Sequence, residues 1–340
     1  WQVDLQLGSR LELMQYTVDV RLKEIDPRRE RLQPLSQEKA KAGARLLAAA
    51  VTLSGDNGIR VPDSTNELLG VDASKLLKNW SPDEIQALLE RGIFNDVIYG
   101  AVRFRHREIR ELLTAEWFHS LLNNGHSRRA IEALFFQEKY GEKVIVPRLR
   151  PILPWLILFD DQVRLRALEL SPEIAVEGGD VSQMPLSIRQ KILVDIVSQI
   201  ASGEDRRGAR DNAAIARIAM LDLSDITLAL IQQYKDNDDV IFFLGRLVWQ
   251  GCMANCLEDL FTVAVNSHRD VYARIASVRA VFSLGHEDSR IALWRNLLTN
   301  SEQIPLEILS EILDDTSITM LSIELLLKSV GKLPPFDRYQ

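Results

Sequence analysis

Three groups of side chains in this sequence have types and spacings suited to chemistry: paired carboxylates, two thiols, and arginines gathered around one histidine. Asp-Asp pairs stand at 160/161, 238/239 and 314/315. Adjacent carboxylates can bind a divalent cation or divide acid and base roles. Each pair, however, falls where the pattern begins a helix or turns a loop, and Asp caps helices by accepting backbone N–H bonds. Capping is the stronger reading. Cys252 and Cys256 lie four apart on an expected helix. No second Cys/His pair follows at zinc spacing, and His268 stands alone, so the thiols read as small buried hydrophobes and no metal site is expected. The loop Gly203 to Gly208 and the pair Gly331-Lys332 lack the glycine spacing and Lys-Ser/Thr of a phosphate-binding loop. Neither His-Glu-x-x-His nor Gly-x-Ser-x-Gly occurs. No catalytic residue is assigned, and the chain is not expected to be an enzyme by itself.

The basic concentration is Arg103, Arg105, Arg107 and Arg110, with Arg128 and Arg129 further on. Arg103 and Arg105 share a face if extended, and Arg107 and Arg110 share a helix face. They form either an anion site or a solvated surface paired with Glu108, Glu111 and Glu116. His106 sits among them, between a strand and a helix, where a lone histidine is ordinarily a structural hydrogen-bonder.

These residues need elements to hold them. Residues 9–24 predict a helix with Leu11, Met14, Val18 and Leu22 on one face. A second starts after Ser36 and runs through Ala50, its small-residue end suited to close packing. Ile59 to Val61 reads as a short strand. Ser81-Pro82-Asp83-Glu84 is a capping box with proline at the first helical position. Asp96 to Tyr99 and Ala101 to Arg105 flank Gly100 as a hairpin. A helix over 106–122 follows, with Ile109, Leu112, Leu113, Trp117 and Leu121 as its buried face. Helix, loop, helix, hairpin, helix is the plan of a winged-helix domain. Its groove-entering helix would be residues 81–92, with three acidic residues and one arginine, the wrong charge for DNA.

Beyond 126 the pattern is almost entirely helical, and 143–159 reads as short helices between proline turns. From about 160, short units recur with an acidic start, at 161 and more clearly at 270, with weaker starts at 211 and 238. The last three starts are 27 and 32 apart, which predicts an irregular α-solenoid of stacked helix pairs.

At 340 residues and 46% apolar composition the chain can bury a large core. No apolar run approaches the roughly 20 residues of a membrane helix, and two cysteines exclude a disulfide scaffold. No membrane partner and a cytoplasmic setting are expected. Residues 1–150 carry a net charge of +2 and the remainder −9, so the second half should repel nucleic acid. The first residue is Trp1, which suggests a piece of a longer polypeptide.

The segment 102–115 carries a resemblance. Phe104, His106, Ile109, Arg110, Glu111 and Ala115 match the pattern that closes the winged-helix domain in STAND NTPases of the NACHT type. Leu112 departs where an aromatic residue is common. The motif covers about 14 residues, and Leu88 to Phe94 is similar in character to the family's approach to it. The resemblance implies the end of a helical lid at 1–30, a winged helix at 31–125 and a HEAT-like helical-repeat sensor at 126–340, as in antiphage-defence members. It implies that His106 contacts a phosphate of ADP held by a nucleotide-binding module of the same polypeptide, with ATP and Mg used there and no cofactor bound by this chain alone. It further implies a protein trigger on the repeats and oligomerisation on activation. The rival expectation is a free-standing α-solenoid scaffold for a protein partner.

Overall fold

The computed structural model describes residues 8–24, 28, 35–62, 70–204, 211–300 and 303–333. The protein is mainly helical, with two small sheets. It divides into two compact units, Trp1–Gln183 and Met184–Gln340.

The first unit begins with α1 (Arg10–Leu22), capped by the Ser9 side chain. The helix is one residue shorter at its start and two at its end than 9–24. Asp26-Pro27, a dipeptide that disfavours further helix, lies outside the described residues. Helix α2 (Gln37–Ser54) is capped by Ser36 as expected, and runs four residues past Ala50 before Gly55 ends it. Its small residues serve close packing: a Cβ on Gly43 would lie 2.7 Å from both Leu88 and Trp80 side-chain atoms. Strands β1 (Ile59–Arg60), β2 (Val71–Asp72) and β3 (Ala101–Val102) form a sheet in the order β2-β1-β3. Ile59 pairs with Val71 in parallel and with Val102 in antiparallel fashion. The short helix α3 (Ala73–Leu76) follows β2, and α4 (Pro82–Leu89) carries the anticipated capping box between Ser81 and Glu84.

The hairpin is present, though most of it is bridged backbone rather than continuous strand. Phe94 pairs with Phe104 and Ile98 with Ala101. Its turn residues Tyr99 and Gly100 have φ of 52° and 78°, the left-handed pair of a two-residue hairpin turn. Helix α5 (Arg107–Asn123) then enters the core. Ile109, Leu112 and Leu113 are buried as expected, but Trp117 and Leu121 are half-buried and Phe118 takes the interior place. One apolar cluster joins α1, α2, the sheet, α4 and α5 through Val18, Leu47, Ile59, Leu88, Val102 and Ile109.

The run after 126 departs from the all-helical expectation. Helix α6 (Arg128–Phe135) leads directly into a hairpin of β4 (Phe136–Lys139) and β5 (Glu142–Ile145). Its register sets Glu138 against Lys143 and Lys139 against Glu142, and its turn is again Tyr-Gly, with Tyr140 and Gly141 at φ of 57° and 82°. Opposite charges across the strands and a turn of this type favour pairing over helix. Helices α7 (Leu153–Phe159), α8 (Asp161–Leu170) and α9 (Ile174–Glu177) complete the unit. Phe118 of α5 stacks edge-on against Phe135 of α6 at 4.8 Å, so residues on both sides of position 125 share this unit's interior.

The second unit is a stack of helix pairs. After α10 (Leu186–Ser202) come α11 (Asn212–Ile218) with α12 (Ser224–Gln233), α13 (Asp238–Gly251) with α14 (Leu257–Val265), α15 (Val271–Leu284) with α16 (Glu287–Asn300), and α17 (Leu306–Asp314) with α18 (Met320–Val330). First helices pack on first helices, α11 on α13 on α15 on α17, while α14 packs on α16 and α16 on α18. Polar ties repeat with the pairs. Arg189 grips Asp222 at 2.6 and 2.7 Å, Arg269 Nε meets Asp238 at 2.6 Å, Arg279 clasps Glu311, and the Trp294 indole N–H reaches Ser329 at 2.8 Å. These partners lie 31 to 35 residues apart in sequence, a tighter measure of the repeat than the starts at 211, 238 and 270. No helix among the described residues is long and apolar enough to cross a membrane.

Candidate functional site around His106

The hairpin and α5 fix His106 between them. Phe94 and Phe104 stack at 4.8 Å and close the hairpin base, and Arg105 locks it by donating Nε–H to the Phe94 carbonyl at 2.8 Å. Two residues beyond Arg107, Ile109 is buried and pins the first turn of α5 to the core. His106 is left exposed at the helix N-cap, and its side chain makes no capping hydrogen bond. The opening of α5 therefore keeps first-turn amides that no side chain at the cap satisfies, next to an imidazole and the guanidinium of Arg107. Such an end attracts phosphate and carboxylate groups.

His106 lines a shallow cleft of about 380 Å³ with Met14, Thr17, Arg105, Arg107 and Glu108. Glu108 does not neutralise the site freely, because Arg10 holds it at 2.6 Å. Arg10 also donates to the Gly179 carbonyl at 2.7 Å, and the Leu11 amide to Asp180 at 2.8 Å, which ties α1 against the loop after α9. A second cavity of about 350 Å³ shares Arg107 and Glu108 and is walled by Arg150, Trp155 and Glu177. Glu111 opens into it. Burial pushes the Glu111 carboxyl above the usual carboxylate range, against the opposing hydrogen bond from Arg107 at 2.6 Å.

The structure separates the basic concentration into different duties. Arg107 pairs with Glu111, and Arg110 turns to Asn57 at 3.4 Å with its own pKa lowered by burial. Arg128 is drawn onto Asp160 through two bonds of 2.9 and 2.8 Å. The six arginines do not form one anion site.

The other candidates have structural partners. Asp160 caps α8 by accepting from the Val163 amide at 2.9 Å, and Arg128 holds its carboxyl well below the ordinary range. Asp238 accepts from Arg269 and from the Asp270 amide at 3.0 Å, joining successive helix pairs. Asp315 accepts the Ser283 hydroxyl at 2.5 Å. Cys252 and Cys256 do not share a helix, contrary to the expectation: α13 ends at Gly251, and Cys252 follows with φ of 54°. Cys256 is buried, and burial pushes its thiol up to about 12. Among the described residues no three His, Cys, Asp or Glu side chains converge on a common point. Lys332 bonds the Leu298 carbonyl at 2.5 Å. Most of the Gly203 to Gly208 loop lies outside the described residues.

Sequence reasoning passed over Glu111 as a surface partner and missed the cavity beside it. The signal was its placement two residues after Ile109 and immediately before Leu112, inside the apolar face. The chain matches no protein-family model, no curated protein and no solved structure.

Proposed function

We propose that this chain is the regulatory and partner-sensing portion of a STAND NTPase of the NACHT type, acting in antiphage defence. In this reading residues 31–125 are a winged helix, the stacked helix pairs of the second unit are the irregular HEAT-like α-solenoid of the sensor, and the chain regulates rather than catalyses. The observation that carries the reading is the placement of His106. It stands exposed at the mouth of a buried helix, uncommitted to capping and flanked by Arg105 and Arg107. The sheet order β2-β1-β3 ahead of that helix supports it, as does the 31-to-35-residue rhythm of the helix pairs.

The residues present suit a phosphate: a free imidazole, first-turn amides and a neighbouring guanidinium. ADP, held by a nucleotide-binding module of the same polypeptide, would supply that phosphate and stabilise the closed state. His106 then acts as a latch. A protein trigger on the helix pairs opens the latch only if it binds the open state better than the closed one, since equal affinity shifts nothing. Oligomerisation follows from the open state.

The test starts from the reading frame upstream of the Trp1 codon, where a Walker motif in frame is expected. In that longer protein His106→Ala should release ADP faster and raise basal activity. A variant that retains ADP and stays silent removes this role from His106. A frame without a Walker motif leaves a helical scaffold for a protein partner.

A further inference from the structure

Helix α18 carries apolar side chains on two faces. One face looks inward, where Leu325 is buried in the core and Ser329 accepts the Trp294 indole N–H. The other is open. Met320, Ile323, Leu327 and Val330 are 84%, 43%, 70% and 53% exposed. At roughly 100° per residue these four form one stripe about 80° wide. Clustered exposed apolar residues of this kind mark contact surfaces.

Earlier second helices do not carry such a stripe. An offset of 32 residues lays α16 on α18, with Leu293 and Leu297 over Leu325 and Ser329, all four buried. The same offset brings Asp288 and Arg295, charged and exposed, to Met320 and Leu327. An offset of 33 lays α14 on α16, with the buried Leu260 and Ala264 over Leu293 and Leu297. It brings the exposed Glu258 and Thr262 to Ile291 and Arg295. The following pair therefore leaves this side of a second helix to solvent. Its most exposed positions are polar in α14 and α16, and apolar in α18. A further pair on the stack would leave the stripe bare, so its occupant approaches from outside the stack.

Two features select a second copy of this chain. The gaps between the four residues are three, four and three, the same read from either end. An antiparallel copy across a two-fold axis thus sets Met320 against Val330 and Ile323 against Leu327, each pairing made twice. Charge is also self-complementary. Glu324 and Lys328 lie on one flank of the stripe, and the axis brings like flanks together in reversed order. Glu324 of each chain then faces Lys328 of the other. Within one chain these two side chains bond each other at 2.6 Å, and each is 60% exposed, so they can exchange partners.

We propose that the open stripe of α18 is a two-fold self-association surface of this chain, with the two α18 helices antiparallel. Four apolar side chains per copy fall short of the roughly 800 Å² per partner of a stable dimer. The dissociation constant should accordingly be on the order of 10–100 µM. The contact uses the chain in its described form and does not rest on the reading of His106.

Sedimentation velocity of the full chain from about 1 to about 300 µM should show one copy passing to two. Leu327→Lys should raise the dissociation constant at least about ten-fold. Its unfolding midpoint at sub-micromolar concentration, where single chains prevail, should match that of the unaltered chain. Glu324→Lys and Lys328→Glu each set like charges against one another and should each weaken association. An equal mixture of these two variants should associate again, because every facing pair is then opposite in sign. A chain that stays single throughout, a dimer that Leu327→Lys leaves intact, or a mixture that associates no better than its components overturns the proposal. A single chain that instead sediments with phosphatidylcholine vesicles, and no longer does so as Leu327→Lys, assigns the stripe to a lipid surface and also overturns it. Neither result bears on ADP retention in His106→Ala, so the two readings fail separately.

Discussion

The two units hold themselves together in different ways. In the first, residues distant in sequence converge on one cluster, from Val18 through Leu47 and Leu88 to Ile109. In the second, each helix pair meets the next through contacts about 32 residues apart, such as Arg269 with Asp238 and Arg279 with Glu311. A converging core makes every member depend on every other, whereas a stack transmits damage mainly to its neighbours. The first arrangement holds one geometry around His106, as the latch proposed above requires. The second suits a surface that can vary pair by pair.

The largest expected effects come from deleting a buried side chain in each unit. Leu47→Ala removes a fully buried residue at the centre of the first cluster and should cost about 2–5 kcal/mol. Trp294→Ala should cost about 3–5 kcal/mol in the second unit, including its bond to Ser329. The distinction lies in where protection is lost. Hydrogen exchange should speed across α2, α4 and α5 together in Leu47→Ala, but in α14, α16 and α18 ahead of α10 and α12 in Trp294→Ala. Simultaneous loss over the whole second unit would erase the contrast.

Acid should separate two carboxylates, one from each unit, by sign. Burial raises the folded pKa of Glu111, so its favourable contribution is full below its unfolded value, near 4.5, and is lost as pH rises through the folded value. Glu111→Gln should therefore flatten the decline in stability above about pH 4.5. Asp222 is the reverse case. The Arg189 hydrogen bonds lower its folded pKa, so its contribution is present above the unfolded value and lost as pH falls through the folded one. Asp222→Asn should remove part of the loss seen below about pH 4. Urea unfolding of each variant across pH 2.5–7 measures both slopes, and parallel slopes would show that neither group is linked to folding as its surroundings indicate.

What was legible in the sequence follows the reach of the forces involved. The Ser36 cap, the Ser81–Glu84 box and the Tyr-Gly turn at 99/100 are local, and each lies where the pattern placed it. The hairpin at 136–145 was missed although it carries the same Tyr-Gly signal, because its strands are too polar to alternate visibly. The continuous helix assigned to Cys252 and Cys256 failed because Cys252 adopts a left-handed conformation with no sequence signature. Near the candidate site the position of His106 between hairpin and helix was readable. The dispersal of the arginines was not, since Arg128 finds its partner 32 residues away.

The two Tyr-Gly turns allow a smaller test within the first unit. Tyr99 and Tyr140 hold positive φ, which Asn tolerates better than a bulky aromatic residue, and their side chains are largely exposed. Tyr99→Asn and Tyr140→Asn should each raise stability by up to about 1 kcal/mol, read as a higher unfolding midpoint. A loss at Tyr99 alone would mean that its ring supports the hairpin carrying Arg105 and His106.

The smallest expected effect is the sharpest for the stack. An offset of 32 residues carries Leu293 and Leu297 of α16 onto Leu325 and Ser329 of α18, all four buried, and carries the exposed Arg295 onto Leu327. Trp294 is 2% exposed because α18 covers it, whereas Leu327 is 70% exposed. If Leu327 faces solvent as Arg295 does, then Leu327→Lys should change stability by no more than about 0.5 kcal/mol. Trp294→Ala, on the covered face one pair earlier, should cost several-fold more. Chemical unfolding of Leu327→Lys beside Trp294→Ala measures the ratio. A cost for Leu327→Lys that approaches the Trp294 value would mean that this face of α18 is covered in solution, and that the stack's ordering force does not stop at its last described pair.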